Sequence, residues 1–413
     1  MNIALVIERL EVGRGGRERS VAEIAAALAG RGHAVTVICQ RGQRPPAGVE
    51  LLEMGSRGLG RAAQLRNFAV AVERAVRRHR CDVVHATLPI PAANVYQPRG
   101  GTAPGRLAAR RQLLAPARRL ASRLAGPLNL ARRAYADLER QVLADHRIAC
   151  LCVSGVVAEE LAVYYGRREN VRVVYSGVDV PDASAQQRQA WRRQWRQRWG
   201  ASDAETLLLC PAHNFAVKGV APLIEALARG TGVSPRSTGV SSVCITGVPP
   251  VDCRLGLVVV GNDVAWPYRR LARRLGVGSR VTFEKGVDDI FPLYSAADAV
   301  ALLSWQDACS RVVLEAMRWG VPSLTTRQNG AHELLVGNVV THDVTAAPAP
   351  GGLVVESPDD AAVPAALAEL CDPARRAALA EGCRQRSALA SMKRQVDELC
   401  RAYELVAAGR GVG

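Results

Sequence analysis

Lysine is almost missing from this sequence. Only three lysines occur among 413 residues, so a formal net charge of +16 rests almost wholly on arginine. A balance this basic predicts a polyanionic partner, whether nucleic acid, an anionic membrane surface or a phosphorylated substrate. Long apolar runs are lacking as well. The opening "IALVI" is broken by Glu8 and Arg9, too short for a secretory signal, and no run approaches the ~18 to 20 apolar residues of a spanning helix. Any meeting with a membrane is expected from outside it. The eleven cysteines are scattered, with no CxxC pair matched by a second pair to build a zinc site. Cys150 and Cys152 fall in an alternating apolar run that reads as buried strand. An odd count without a secretory signal predicts reduced thiols in a cytosol. No GxGxxG fingerprint follows the first strand, which disfavours a nicotinamide dinucleotide.

What the sequence does have is a repeated rhythm of strand and helix. "NIALVIE", "RSVAEIAAALAGRG" and "AVTVICQ" form one βαβ unit whose helix is ended by Gly32. The alternation runs on to "VRVVYSGVD", is interrupted by "PDASAQQRQAWRRQW" and reopens at "TLLLCPA". The length suffices for two ordinary domains, each with its own core. The fold class is therefore α/β, with two Rossmann-like, doubly wound parallel-sheet domains facing across a cleft. We expect the first over residues 1–180 and the second over 181–385, with a helix and tail at 386–413 packing back toward the first. Within the second, TGV recurs at Thr231, Thr238 and Thr246. Residues 231–252 read as a low-complexity, disordered surface insertion with no role in the chemistry.

Several residues stand where such folds do chemistry. The loop "EVGRGGRERS" puts Gly15 and Gly16 between the first strand and its helix, where backbone can approach a ligand beside a helix N-terminus. The plain alternative is a tight turn with exposed arginines. "HNFAVKGVAPLIEAL" repeats the arrangement, with Lys218 beside Gly219 at a strand-to-helix turn. A lysine there can neutralise a diphosphate as a compact point charge. Asp307 follows strand "AVALLS" at the carboxyl edge, and Glu315 lies two turns on in the apolar run "VVLEAM", where a carboxylate needs a hydrogen-bonding partner. Both can accept sugar hydroxyl groups; a capping Asp and a satisfied buried Glu are the alternative. His85, after "CDVVH", and Arg17 are candidate contacts to acceptor or sugar, against a structural histidine. Trp191, Trp195 and Trp199 share a helical face that reads as packing onto the second domain.

In order, "LEVGRGGRERSVAEIAAALAGRGHAVTVIC", "CDVVHA", "VVYSGVD", "NFAVKGVAPLIEAL", "VVVGND" and "DACSRVVLEAMRWGVPSLTT" resemble the retaining nucleotide-sugar glycosyltransferases of family 4, which have the GT-B fold. Within that family the likeness is to the lipopolysaccharide core glucosyltransferases. The resemblance implies that Asp307 and Glu315 stand at the family's paired carboxylates, the first contacting the donor sugar and the second the nucleotide ribose. Lys218 would bind the donor diphosphate, and the backbone at Ser310 and Arg311 would face it. Gly15 and Gly16 would lie near the phosphates and acceptor. His213 and Asn214 stand where many members carry an arginine and are kept as donor-binding candidates, with Arg311 as a possible source of the missing charge. Asp307 is one methylene shorter than the usual Glu, which changes its reach. Arg99 and Gly100 fall where the core group places an acidic residue, so no general base is carried over.

These readings imply transfer of a hexose, glucose from UDP-glucose, to a glycolipid or lipopolysaccharide-core acceptor on the cytoplasmic face of the inner membrane. No cofactor, no metal and no nucleic-acid partner are expected. Residues 99–136 contain nine arginines and no acidic residue. With leucines interleaved they read as basic amphipathic helices suited to anionic lipid, against a solvated charged face. Two other functions fit parts of the sequence, a non-catalytic basic protein binding membrane or nucleic acid and a GT-B nucleotide-sugar epimerase.

Overall fold

A computed structural model describes residues 1–11, 15–113, 129–230, 254–337, 339 and 348–413. The expected insertion at 231–252 and the middle of the arginine-rich segment lie outside the described residues. The chain divides into two compact units, one of Met1–Gly177 with Met392–Gly413 and one of Val178–Ser391. The seam thus falls three residues before the expected 180, and the returning tail begins at 392 rather than 386.

The first unit is built on seven parallel strands. Counted in chain order they lie 3-2-1-4-5-6-7 across the sheet, with Asn2–Val6 between Ala34–Cys39 and Val83–Ala86. A parallel strand covered on both faces must be apolar throughout, and Ile3, Ala4, Leu5 and Val6 are all buried. The helix Gly16–Ala29 turns Val21, Ile24, Ala25 and Leu28 inward at spacings of three and four. Its start corrects the expected loop, because Gly16 is already helical. The helix Met392–Ala407 brings Met392, Val396, Leu399 and Tyr403 into the same core. Burying each such side chain is worth ~1.5–3 kcal/mol before entropy is counted, which is ample to tie the chain's return to this unit.

The second unit has six parallel strands in the order 3-2-1-4-5-6, with Thr206–Pro211 and Ala299–Leu302 adjacent where the order reverses. The segment that interrupts the rhythm is the helix Ala185–Trp199, capped by the Ser184 side chain. It docks inside this unit through both kinds of residue. Trp191 stacks on Trp319 at 6.4 Å between centroids, and the Arg188 guanidinium lies 3.7 Å over the same ring. Buried Arg196 donates to Asp298 at 3.1 Å and to the Ala296 carbonyl at 3.0 Å, so the charge goes inside already paired. Among the strands that escape sequence reading, two do so for a physical reason. Val95–Tyr96 is too short to show a period, and Val49–Glu53 lies at the sheet edge with a mixed pattern.

Candidate functional site

In an open parallel sheet the loops leaving adjacent strands diverge at the point where strand order reverses, opening a crevice at the carboxyl ends. In the second unit those loops are residues 212–219 and 303–310, and they are tied together. Trp305 N donates to the Val217 carbonyl at 2.8 Å. Gly219 has φ +68°, and a Cβ there would come within 1.9 Å of the Leu303 carbonyl oxygen, so only glycine allows the approach. Asn214 shapes the first loop by accepting from Val217 N at 3.1 Å and, through its own carbonyl, from Lys218 N at 3.0 Å. Asp263 holds the same loop from the next strand, accepting from Phe215 N at 2.8 Å. The result places the Lys218 ammonium in a hydrogen-bonded ion pair with the Asp307 carboxylate, both groups mostly buried. His213, one residue before Asn214, is exposed.

Glu315 finds its partners on its own helix and the one beside it. In the helix Arg311–Trp319, Arg311 Nε donates to Glu315 Oε1 at 2.6 Å, and the Tyr294 hydroxyl lies 3.2 Å from Oε2. Glu315 is 4% exposed, a depth at which a carboxylate without such partners is strongly unfavourable. Arg311 therefore neutralises a carboxylate in this structure. The loop before the helix is fixed by a residue that sequence reading did not single out. Buried Asn329 accepts from Ser310 N at 3.0 Å and donates to Thr325 Oγ1 at 2.9 Å. Asp307 bonds through its backbone to Gln328 at 2.9 Å and to Gly330 at 2.9 Å. Only "NG", an ordinary turn dipeptide, marked Asn329 in the sequence, and "GND" marked Asp263.

Lys218, Asp307, Ser310, Arg311 and Glu315 are thus brought together, with the first turns of Val220–Gly230 and Arg311–Trp319 on the same edge. A compact cation beside backbone N–H groups and the positive ends of two helix dipoles can hold an anion, and the carboxylates supply acceptors for hydroxyl groups.

Gly15, Gly16, Arg17 and His85 belong to the first unit. Gly15 is the extended residue before the first helix, and Arg17 is an exposed side chain in its first turn. His85 has the surroundings of the structural alternative. It is 2% exposed, with Nδ1 2.5 Å from the Tyr403 hydroxyl and the two rings edge to face. Burial, then the charge of Arg99, push its pKa down to about 3, so it is neutral at ordinary pH. It anchors the returning helix.

Known proteins resemble both units of the chain. Residues 14–181 match the family model for Glycosyltransferase Family 4, and residues 239–372 match that for Glycosyl transferases group 1. The chain is 28% identical over 331 residues to the lipopolysaccharide glucosyltransferase WaaG of Escherichia coli K12, covering 79% of this chain and 81% of that one. It is 27% identical over 241 residues to the D-inositol 3-phosphate glycosyltransferase of Corynebacterium kroppenstedtii, covering 57% and 48%. Among solved structures, WaaG superposes with a TM-score of 0.73 at 24% identity over 98% of this chain and 99% of that one. HepE of Anabaena in complex with UDP-glucose gives 0.62 at 20% identity over 99% of each. These likenesses give the fold as GT-B, and no helix among the described residues is long and apolar enough to cross a membrane. The chain thus joins a Glycosyltransferase Family 4 domain to a Glycosyl transferases group 1 domain, the two matches falling mainly on the first and the second unit.

Proposed function

We propose that this chain moves a hexose, glucose, from UDP-glucose to a hydroxyl of a glycolipid or lipopolysaccharide-core acceptor, with retention at the anomeric carbon. The observation that carries the reading is the contact of Lys218 with Asp307 where strand order reverses, with the Arg311–Glu315 pair one helix beyond. Its support among relatives is the likeness to a lipopolysaccharide glucosyltransferase and to a protein seen with UDP-glucose.

In this reading the anomeric carbon's bond to the diphosphate oxygen breaks as its bond to the acceptor oxygen forms, and the acceptor's proton passes to the departing diphosphate. Lys218 and the helix N-termini stabilise the charge that develops on the leaving group, an effect worth ~3–4 kcal/mol per well-placed donor. Asp307 exchanges its lysine for that anion and accepts from a sugar hydroxyl. Glu315, held by Arg311 and Tyr294, accepts from the ribose. With protein cations in that role the reaction needs no metal and no cofactor. The acceptor is met at the cytoplasmic face of an anionic inner membrane, where the described ends of residues 99–136 present exposed Leu130, Arg132 and Arg133.

Calorimetric titration of the full chain with UDP and UDP-glucose tests the donor half. Binding that Lys218→Ala and Glu315→Gln both weaken supports it, and no binding by the wild type overturns it. Transfer that survives EDTA supports metal independence.

A further inference from the structure

The first unit has two hollows. Glu8 and Leu88, which follow the paired strands Asn2–Val6 and Val83–Ala86, line one of about 640 Å³ where the sheet reverses order. The other, of about 510 Å³, shares no lining residue with it and is a groove between the edge strand Val49–Glu53 and the helix Gly60–His79. Leu52, Met54 and buried Phe68 give this groove an apolar floor. Arg57, Arg74 and Arg78 give it a cationic wall, with no acid in the lining among the described residues. Asn67, also in the lining, donates to the Arg57 carbonyl at 3.0 Å and so fixes that end. The acids next to the groove in sequence are turned elsewhere. Glu73 pairs with Arg77 at 2.7 Å, and Glu50 accepts from Thr36 Oγ1 at 3.0 Å. Glu53 lies on the other face of its strand from Leu52.

We propose that this groove docks an extended acidic segment of a partner protein, which adds a strand along the outer side of Val49–Glu53 and turns acidic side chains toward Arg74 and Arg78. The proposal goes beyond the transferase reading and does not depend on it. The strand supplies main-chain partners. Among the described residues no strand pairs with its outer side. Met54 N donates inward to the Cys39 carbonyl at 2.8 Å. Main-chain direction alternates along a strand, so the N–H and C=O groups of Leu51 and Glu53 point outward, an open template for another chain. The helix supplies the match in length and charge. Its lining stripe from Asn67 to Arg78 runs about 16 Å, the length of about five residues of extended chain. Arg74 and Arg78 stand about 6 Å apart along the axis, close to the ~6.7 Å between alternate side chains of a strand. Three arginines without a carboxylate select an acidic occupant. A second copy of this chain would set the same arginines against each other. Nucleic acid would find no exposed phenylalanine, tyrosine or tryptophan to stack on in the described lining.

The test uses the full chain and a short fluorescein-labelled peptide with blocked ends, in which glutamate alternates with valine, followed by anisotropy. The peptide is expected to bind, and the double variant Arg74→Glu/Arg78→Glu to weaken it by about tenfold or more. Glu53→Pro removes an outward N–H at a place where an edge strand tolerates proline. It should bind about fivefold more weakly than Glu53→Gln, which loses the same charge and keeps the N–H. Unchanged melting of each variant separates lost docking from lost folding. No binding of the peptide, equal binding of its lysine counterpart, insensitivity to the arginine changes, or equal affinity of the proline and glutamine variants would each overturn the proposal. Binding confined to oligothymidylate or to phosphatidylglycerol vesicles would overturn it as well.

Discussion

The two units share a sheet order through six strands and fill the reversal point in opposite ways. In the second, the cations come with carboxylates, Lys218 with Asp307 and Arg311 with Glu315. In the first, Arg61, Arg106, Arg110 and Arg132 face a lining in which Glu8 is the only acid among the described residues. The described residues thus give one crevice balanced pairs and the other a local excess of arginine. Balanced pairs keep side chains in fixed rotamers while a site is empty, at the cost of a partner exchange on binding. Unbalanced arginines attract anions from a distance but have less to hold them in place.

The comparison can be broken by removing one member of a pair. Glu315→Ala would leave Arg311 buried without its carboxylate and should destabilise the second unit by ~3–5 kcal/mol in denaturant unfolding. The double change Arg311→Met/Glu315→Leu should recover most of that loss, and a double variant as unstable as the single would show that the pair is not the cause. Lys218→Ala removes a charge from a pair less deeply buried than Arg311 and Glu315, so it should cost less stability than Glu315→Ala and lower glycosyl transfer by about 10²–10³-fold. Turnover within about threefold of wild type would take Lys218 out of the reaction.

The first unit offers a smaller effect with a definite sign. His85 has its pKa lowered from 6.5 to about 3, so the unfolded chain takes up a proton near pH 6.5 and the folded one does not. Its contribution is fully present above that pH and is lost as pH falls, by about 2 kcal/mol between about pH 6.5 and pH 5. His85→Asn should remove that part of the slope while leaving the remainder. An unchanged slope would mean that His85 is protonated in the folded state.

Much of this was legible before any coordinates. Parallel strands buried on both faces announce themselves as apolar runs, and Lys218, Asp307 and Glu315 stood out because charged residues are conspicuous at strand ends and in apolar helices. Their pairing was not legible, since Lys218 and Asp307 are 89 residues apart and only the strand order brings them together. His85 stays open between a ligand contact and a structural histidine for the same reason, its partner being 318 residues away on the returning helix. Asn329 and Asp263 resemble any turn residue, because their work is done through backbone amides that no side-chain pattern reveals. Periodicity gave Arg106 a helix but could not say which side of that helix met a cavity.

The return of Met392–Ala407 to the first unit also orders events in time. A ribosome releases the opening 177 residues long before the helix that completes their core, a delay of roughly 10–40 s at ordinary elongation rates. Throughout that interval the places later filled by Val396, Leu399 and Tyr403 stay open, with Ile24 and Leu28 of the same core unsealed. The intervening unit, contiguous from Val178 to Ser391, can close first. The nascent first unit is therefore the part that most needs a chaperone's shelter, although it is the first to be made.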